Sequence, residues 1–115
     1  MKVIKKPWGQ EEIVEKNDRY MVKKLTMLKG HRCSLQYHQI KRETIYVLSG
    51  ELRISFGFSR DNLEARILGP NETVTIVPQM VHRMEAIQNS IYLEASSPEM
   101  EDVVRLDDDY QRELK

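Results

Sequence analysis

The stretch GHRCSLQYHQIKRETIYVLSG, Gly30–Gly50, carries a glycine at each end, a Gln-x-His pair (Gln36 and His38) and a carboxylate, Glu43, five residues beyond the histidine. Its first half alternates. Ser34, Gln36 and His38 share one parity, Leu35 and Tyr37 the other, so a strand here puts Gln36 and His38 on one face, roughly 6–7 Å apart. Gln39–Arg42 reads as a turn, and the run TIYVLSG after it is rich in β-branched and aromatic residues, which predicts a hairpin. An amide oxygen, an imidazole and a carboxylate would then converge from two adjacent strands as potential metal ligands.

The same alternation extends in both directions. Upstream, the Pro-Trp-Gly turn within Lys6–Gly9 reads as part of an arm docked on a sheet edge, with Trp8 capping the core. Glu12–Lys16 and Tyr20–Leu28 form a predicted hairpin around Asn17-Asp18. Downstream, Gly50–Gly57 places Leu52, Ile54 and Phe56 on one face, and Ser59–Leu63 is a polar loop. Strands follow at Glu64–Leu68, Glu72–Pro78, Met80–Ile87 and Ser90–Ser96, with a turn at Gly69–Glu72. His82, Met84 and Ala86 share a parity. In the acidic tail, Val103, Val104 and Leu106 suit a short strand or docked segment, and the last turn suits a helix. No helical periodicity of three turns precedes that tail. Nine or ten short strands with glycine or proline turns predict an all-β sandwich or barrel, a single domain over residues 1–115.

Composition narrows the functional classes. Apolar residues make up 40% and charged residues 31% of the chain, the balance of a folded soluble domain. Eighteen basic and eighteen acidic side chains cancel, so no net field favours nucleic acid or an anionic membrane. No segment approaches the ~20 apolar residues of a membrane helix, and the N-terminus lacks a signal-peptide run. A single cysteine, Cys33, permits no internal disulfide, and a cytoplasmic location is expected. Cys33 lies on the parity opposite Gln36 and His38, which marks it as buried filler.

The spacing Gly30-x5-Gln36-x-His38-x4-Glu43-x6-Gly50 resembles the first motif of the cupin superfamily, with glutamine in place of its first histidine. The second cupin motif, glycine, proline, glycine, histidine and asparagine, falls on Asn71, Val77, Gln79, His82 and Ala86, and only the histidine is kept. The Pro-Trp-Gly turn, SLQYH, His82-Arg83 and EDVVRLDDDYQR together resemble one branch in particular. This is the C-terminal domain of type II mannose-6-phosphate isomerase/GDP-mannose pyrophosphorylase, with its stand-alone relatives. There glutamine at the position of Gln36 is usual.

That resemblance implies a cupin, a double-stranded β-helix or jelly-roll-like barrel, usually paired as a homodimer. It implies Gln36, His38, Glu43 and His82 as ligands of a divalent metal ion. The mixed N/O set suits Zn²⁺, Mn²⁺, Fe²⁺, Ni²⁺ or Co²⁺ and selects poorly among them. It also implies aldose–ketose isomerisation of a phosphorylated sugar such as mannose 6-phosphate. Pyrophosphorylase activity is not expected, because the nucleotidyltransferase domain is absent from these residues.

Such chemistry needs a cation for the phosphate and a general base. Of Arg32, Arg53, Arg83, Lys41 and Arg42, parity selects Arg32 as the anion contact inside the barrel. The same parity sends Arg83 to solvent or to a dimer contact. Glu94 is a candidate base, although Tyr92 and Glu94 fit a solvent-facing position equally well. The tail from Arg105 through Asp108 and Tyr110 to Arg112 reads as a structural clasp. Two alternatives stand beside the isomerase. One is a non-catalytic cupin that binds a sugar or nucleotide sugar for a separate nucleotidyltransferase. The other is a metal-dependent cupin oxygenase or lyase.

Overall fold

Period-two alternation is realised as eleven strands in the computed structural model, which describes residues 2–111. They are β1 (Lys2–Lys6), β2 (Gly9–Lys16), β3 (Met21–Met27), β4 (Leu35–Tyr37), β5 (Glu43–Ser49), β6 (Leu52–Gly57), β7 (Glu64–Leu68), β8 (Thr73–Ile76), β9 (Val81–Ala86), β10 (Ser90–Ser96) and β11 (Val104–Asp107). The N-terminal arm supplies a strand of its own, β1, hairpinned to β2. No helix among the described residues is long and apolar enough to cross a membrane. The helical turn expected at the C-terminal end falls on residues 112–115, outside the described ones.

Six strands form one sheet, in the order β1-β2-β3-β10-β5-β8, and five form the other, β11-β4-β9-β6-β7. The predicted β2–β3 hairpin is present. The hairpin predicted around Gln39–Arg42 is not: β4 and β5 belong to different sheets. The turn instead carries the chain across the interior, so His38 and Glu43 approach from opposite walls. From β4 onward most connections cross in this way, and β6–β7 is the exception. Short crossing turns over strands with a buried face give two facing sheets, with no helix among the described residues.

Leu25, Met27, Ile45, Val47, Ile76 and Tyr92 from one sheet meet Leu52, Ile54, Leu68, Met84 and Ala86 from the other, and Trp8 and Cys33 pack among them. The expected roles of Trp8 and Cys33 are therefore realised. Burial pushes the Cys33 thiol up to about 11, which keeps it protonated.

The corners explain the special backbone positions. Gly50 has φ +89°, and a Cβ there would lie 2.7 Å from the Cα of Ser90 and closer still to the carbonyl oxygen of Asn89. Gly50→Ala is expected to cost about 2–4 kcal/mol of folding stability, through backbone strain plus overlap with a rigid neighbour. Urea denaturation reads this directly. Asn71 and Gln79 occupy the two glycine positions of the degenerate second motif, and both keep left-handed backbone, at φ 70° and 71°. The turn geometry thus survives the loss of both glycines.

Candidate metal centre

Three side chains converge between the two walls. Glu43 opens β5, His82 is the second residue of β9, and His38 lies just past β4. One carboxylate oxygen, Glu43 Oε1, stands 3.4 Å from His38 Nε2 and 3.3 Å from His82 Nε2. The other ring nitrogens are already engaged. His38 Nδ1 bonds the backbone carbonyl of Asp102, and His82 Nδ1 bonds that of Met80 at 2.9 Å. Carbonyls only accept, so each Nδ1 carries a proton and each Nε2 is directed at Glu43.

Both Nε2 atoms and Glu43 Oε2 are buried without a hydrogen-bond partner. Burying three such groups is costly unless something satisfies them. A divalent ion bound at ~2.0–2.2 Å holds its ligand atoms about 3.0–3.5 Å apart, and the observed 3.3 and 3.4 Å fall within that range. His38, Glu43 and His82 are also a set of metal-capable groups with ligand atoms all within 4.8 Å. The donors therefore fit a cation.

Electrostatics favour a positive charge at this point. Burial alone would raise the Glu43 pKa, but His38, His82 and Lys41 outweigh it and hold the carboxyl well below its usual range. Burial would lower His38, and the Glu43 carboxylate overrides it to raise the imidazole. A metal would displace that proton.

Around the centre lies a cavity of about 210 Å³ whose lining includes Gln36, His38, Lys41, Glu43, Tyr92 and Glu94. It is smaller than the ~300–1,000 Å³ typical of drug-sized ligands, which suits a small metabolite. Lys41 is buried, with Nζ 3.5 Å from Glu43 Oε2 and 3.4 Å from Glu94 Oε2. Burial opposes its charge, and the Glu94 and Glu43 carboxylates outweigh that to raise it. Glu94 is pushed up to about 7 by burial and by the Glu43 charge, against Lys41 and Lys23. A second buried pair, Lys23–Glu11 at 3.2 Å, also lines the cavity.

The turn between His38 and Glu43 is held from the tail. The Asp102 carboxylate accepts from the amides of Gln39, Ile40 and Lys41 at 3.0, 2.7 and 2.8 Å, while its carbonyl orients His38. Groups that orient metal ligands commonly contribute 10–100-fold in affinity. Asp102→Ala is expected to weaken divalent-metal binding by about tenfold or more, as measured by isothermal titration calorimetry.

The remaining predicted positions divide. Gln36 lines the cavity, and its Oε1 accepts the Ser34 hydroxyl at 3.0 Å. Glu94 faces inward, 6% exposed, and Tyr92 is fully buried beside it. Arg32 lies outside the cavity lining, bidentate to Asp109 at 2.6 and 2.9 Å. Parity fails there because the segment from Arg32 to Ser34 is irregular, with only an isolated bridge at Arg32. Arg83 is not solvated. It is buried, donating to the Cys33 carbonyl at 2.9 Å and ion-paired with Asp107 and Asp109.

The described part of the tail acts as a clasp, and Arg112 lies outside the described residues. β11 covers the edge of β4, and Tyr110 meets His31 Nδ1 at 2.7 Å. Arg105 is the exception, because it lines the cavity. Lys23 also turns inward, and its parity with Met21, Leu25 and Met27, all buried, is the sequence pattern that marks it.

Comparison with known proteins agrees with this architecture. The chain is 29% identical to mannose-1-phosphate guanylyltransferase ManC of Salmonella typhimurium, over 95% of this chain and 23% of that protein. It is 27% identical to xanthan biosynthesis protein XanB of Xanthomonas campestris, with the same coverage. The chain thus spans about a quarter of these relatives. Among solved structures, KdgF from Halomonas sp. superimposes with a TM-score of 0.77 at 19% identity, covering 89% of this chain and 90% of that one. An RmlC-like cupin from Shewanella frigidimarina gives 0.75 at 18%, covering 88% and 86%. Bacillus subtilis oxalate decarboxylase, a protein with Mn(II) centres, gives 0.79 at 18%, covering 92% and 30%. The family described as mannose-6-phosphate isomerase C-terminal matches residues 1–108. The chain therefore has the cupin fold, and it belongs to the mannose-6-phosphate isomerase C-terminal family.

Proposed function

We propose that this cupin is a metal-dependent phosphosugar isomerase that interconverts an aldose phosphate and its ketose, with mannose 6-phosphate as the first substrate to test. The observation that carries the reading is the placement of Glu94, poised at about 7, in the same cavity as His38 and Glu43 of the metal-capable set. His38, Glu43 and His82 would hold the ion, with the Gln36 amide oxygen as a fourth ligand. A divalent ion there supplies Lewis-acid polarisation of a sugar carbonyl.

Isomerisation moves one proton between neighbouring carbons. Glu94 takes that proton from one carbon and returns it to the other. A group near neutrality suits both halves of the transfer. Lys41, beside Glu94 and Glu43, stabilises the ionised base and keeps it aimed at the centre. Burial of the cavity walls excludes water, which strengthens each of these interactions.

The test is a coupled assay of mannose 6-phosphate and fructose 6-phosphate interconversion with metal-loaded and chelated protein. Turnover with Mn²⁺, Zn²⁺ or Co²⁺ that chelation abolishes supports the reading. No turnover at any metal loading, on hexose, pentose and heptose phosphates, overturns it.

The guanylyltransferase names of the relatives favour a second reading, a module that binds sugar phosphates or nucleotide sugars without converting them. Thermal shifts with GDP-mannose in a protein that lacks turnover would select it.

A further inference from the structure

Among the described residues, five buried side-chain atoms lack a hydrogen-bond partner: His38 Nε2, Glu43 Oε2, His82 Nε2, Tyr92 Oη and Arg105 Nε. The two imidazole nitrogens face Glu43 Oε1 at the metal position, and Glu43 Oε2 lies 3.5 Å from Lys41 Nζ. The other two are donors, and both residues line the same cavity. The Tyr92 pKa is raised well above its usual value by burial, so its hydroxyl keeps its proton. Buried donors are rarely left unmatched in a folded protein. Two in one cavity mark a place for an acceptor-rich ligand.

Arg105 differs from Lys23 and Lys41, the two buried lysines of the cavity. Lys23 is paired with Glu11, and Lys41 with Glu43 and Glu94. Among the described residues, none forms an ion pair with Arg105. Its position also relates to the metal centre. Arg105 stands opposite Gln36 in the β11–β4 pairing, and Gln36 stands opposite His82 in the β4–β9 pairing. The three lie in one row across the sheet, so Arg105 and His82 are separated at the backbone by two strand spacings, about 9–10 Å. That is the scale of an extended sugar phosphate whose far end lies at the metal.

We propose that Arg105 is the phosphate-binding residue of the cavity and that the Tyr92 hydroxyl donates to a sugar oxygen. A guanidinium offers several N–H donors in a fixed fork that matches a phosphate. The proposal rests on the phosphosugar reading for its ligand class, but it concerns binding and not turnover.

Calorimetry of the full Mn²⁺-loaded chain with mannose 6-phosphate and with mannose tests it. The wild-type protein is expected to bind the phosphorylated sugar about 10–100-fold more tightly, the range for a charge-assisted contact. Arg105→Gln should bring the two affinities within about twofold while leaving Mn²⁺ affinity unchanged, and Arg105→Lys should restore part of the difference. Tyr92→Phe removes an unsatisfied buried hydroxyl, so the melting temperature should hold or rise while affinity for both sugars falls. A structural role alone would not produce that combination. Equal wild-type affinities overturn the assignment, as does a phosphate preference that survives in both Arg105 variants. Phosphate-selective binding without turnover would instead count against the isomerase reading and leave Arg105 in place.

Discussion

In the proposed isomerase, His82→Gln is expected to reduce turnover by about 10³-fold and to strip most of the divalent metal from the purified protein. His82 is fully buried, with Nε2 3.3 Å from Glu43 Oε1. Glutamine approximates its volume but cannot present a ring nitrogen at that point while holding the Met80 carbonyl with Nδ1. Lewis-acid polarisation by a bound ion is worth several kcal/mol of transition-state stabilisation, and each 1.36 kcal/mol is a factor of about ten in rate. Losing roughly 4 kcal/mol gives the stated drop. A second readout is independent of turnover. Metal that binds only the folded chain raises its stability by about 2.7 kcal/mol at a hundredfold excess over the dissociation constant. The Mn²⁺-dependent rise in melting temperature expected of wild type should therefore vanish in His82→Gln. Elemental analysis and a melting curve with and without Mn²⁺ check both. A variant that keeps its metal and its turnover would remove the His38–Glu43–His82 set from the chemistry.

Glu94→Gln is expected to lower turnover by about 10²–10⁴-fold, the usual contribution of a positioned general base, with metal content unchanged. This separates it from the ligand variant. The pH dependence carries a sign that can be checked on metal-free protein. Burial and the Glu43 charge raise the Glu94 carboxyl from its ordinary value to about 7. A carboxyl raised on folding favours the folded state fully only below its unfolded pKa, and that contribution is lost as pH rises through 7. Above pH 7 wild type must bury an ionised Glu94, and Glu94→Gln must not. Relative to wild type, the variant should therefore gain melting temperature between pH 5 and 8 while it loses activity. A bound divalent ion would draw Glu94 downward, so the loaded protein should show a smaller gap. An unchanged rate in Glu94→Gln would assign the proton transfer elsewhere in the cavity.

Much of the fold was legible in the residues themselves. Strand positions followed from alternation, and turns from glycine, proline and Asn-Asp. The spacing of Gln36, His38 and Glu43 pointed to a ligand cluster, and the family motif added His82 before any geometry was known. These features are local, or recur at a fixed spacing, so a linear reading reaches them. Gln79 shows the limit of residue identity. It holds the left-handed backbone that the motif assigns to glycine, because the surrounding turn dictates the conformation.

Other features depended on tertiary structure. Alternation says which residues share a face, but not which face turns inward. In β10 the apolar set Ile91, Leu93 and Ala95 is the more exposed one, and Ser90, Tyr92, Glu94 and Ser96 are buried. Hydrophobicity misleads there because the barrel encloses a polar cavity, where buried charges are satisfied by one another, Lys41 by Glu43 and Glu94, and Lys23 by Glu11. The exchange of Arg32 for Arg105 has the same origin. Arg32 shares the parity of Gln36 by count, yet irregular backbone turns it out to Asp109, while the tail, about seventy residues later, brings Arg105 in beside Gln36. The chain by itself determined the strands and the ligand spacing. Only the closure of two sheets on each other decided that His38 and Glu43 meet across the interior and which cation shares their cavity, because strand pairing between distant segments is set by packing and not by local pattern.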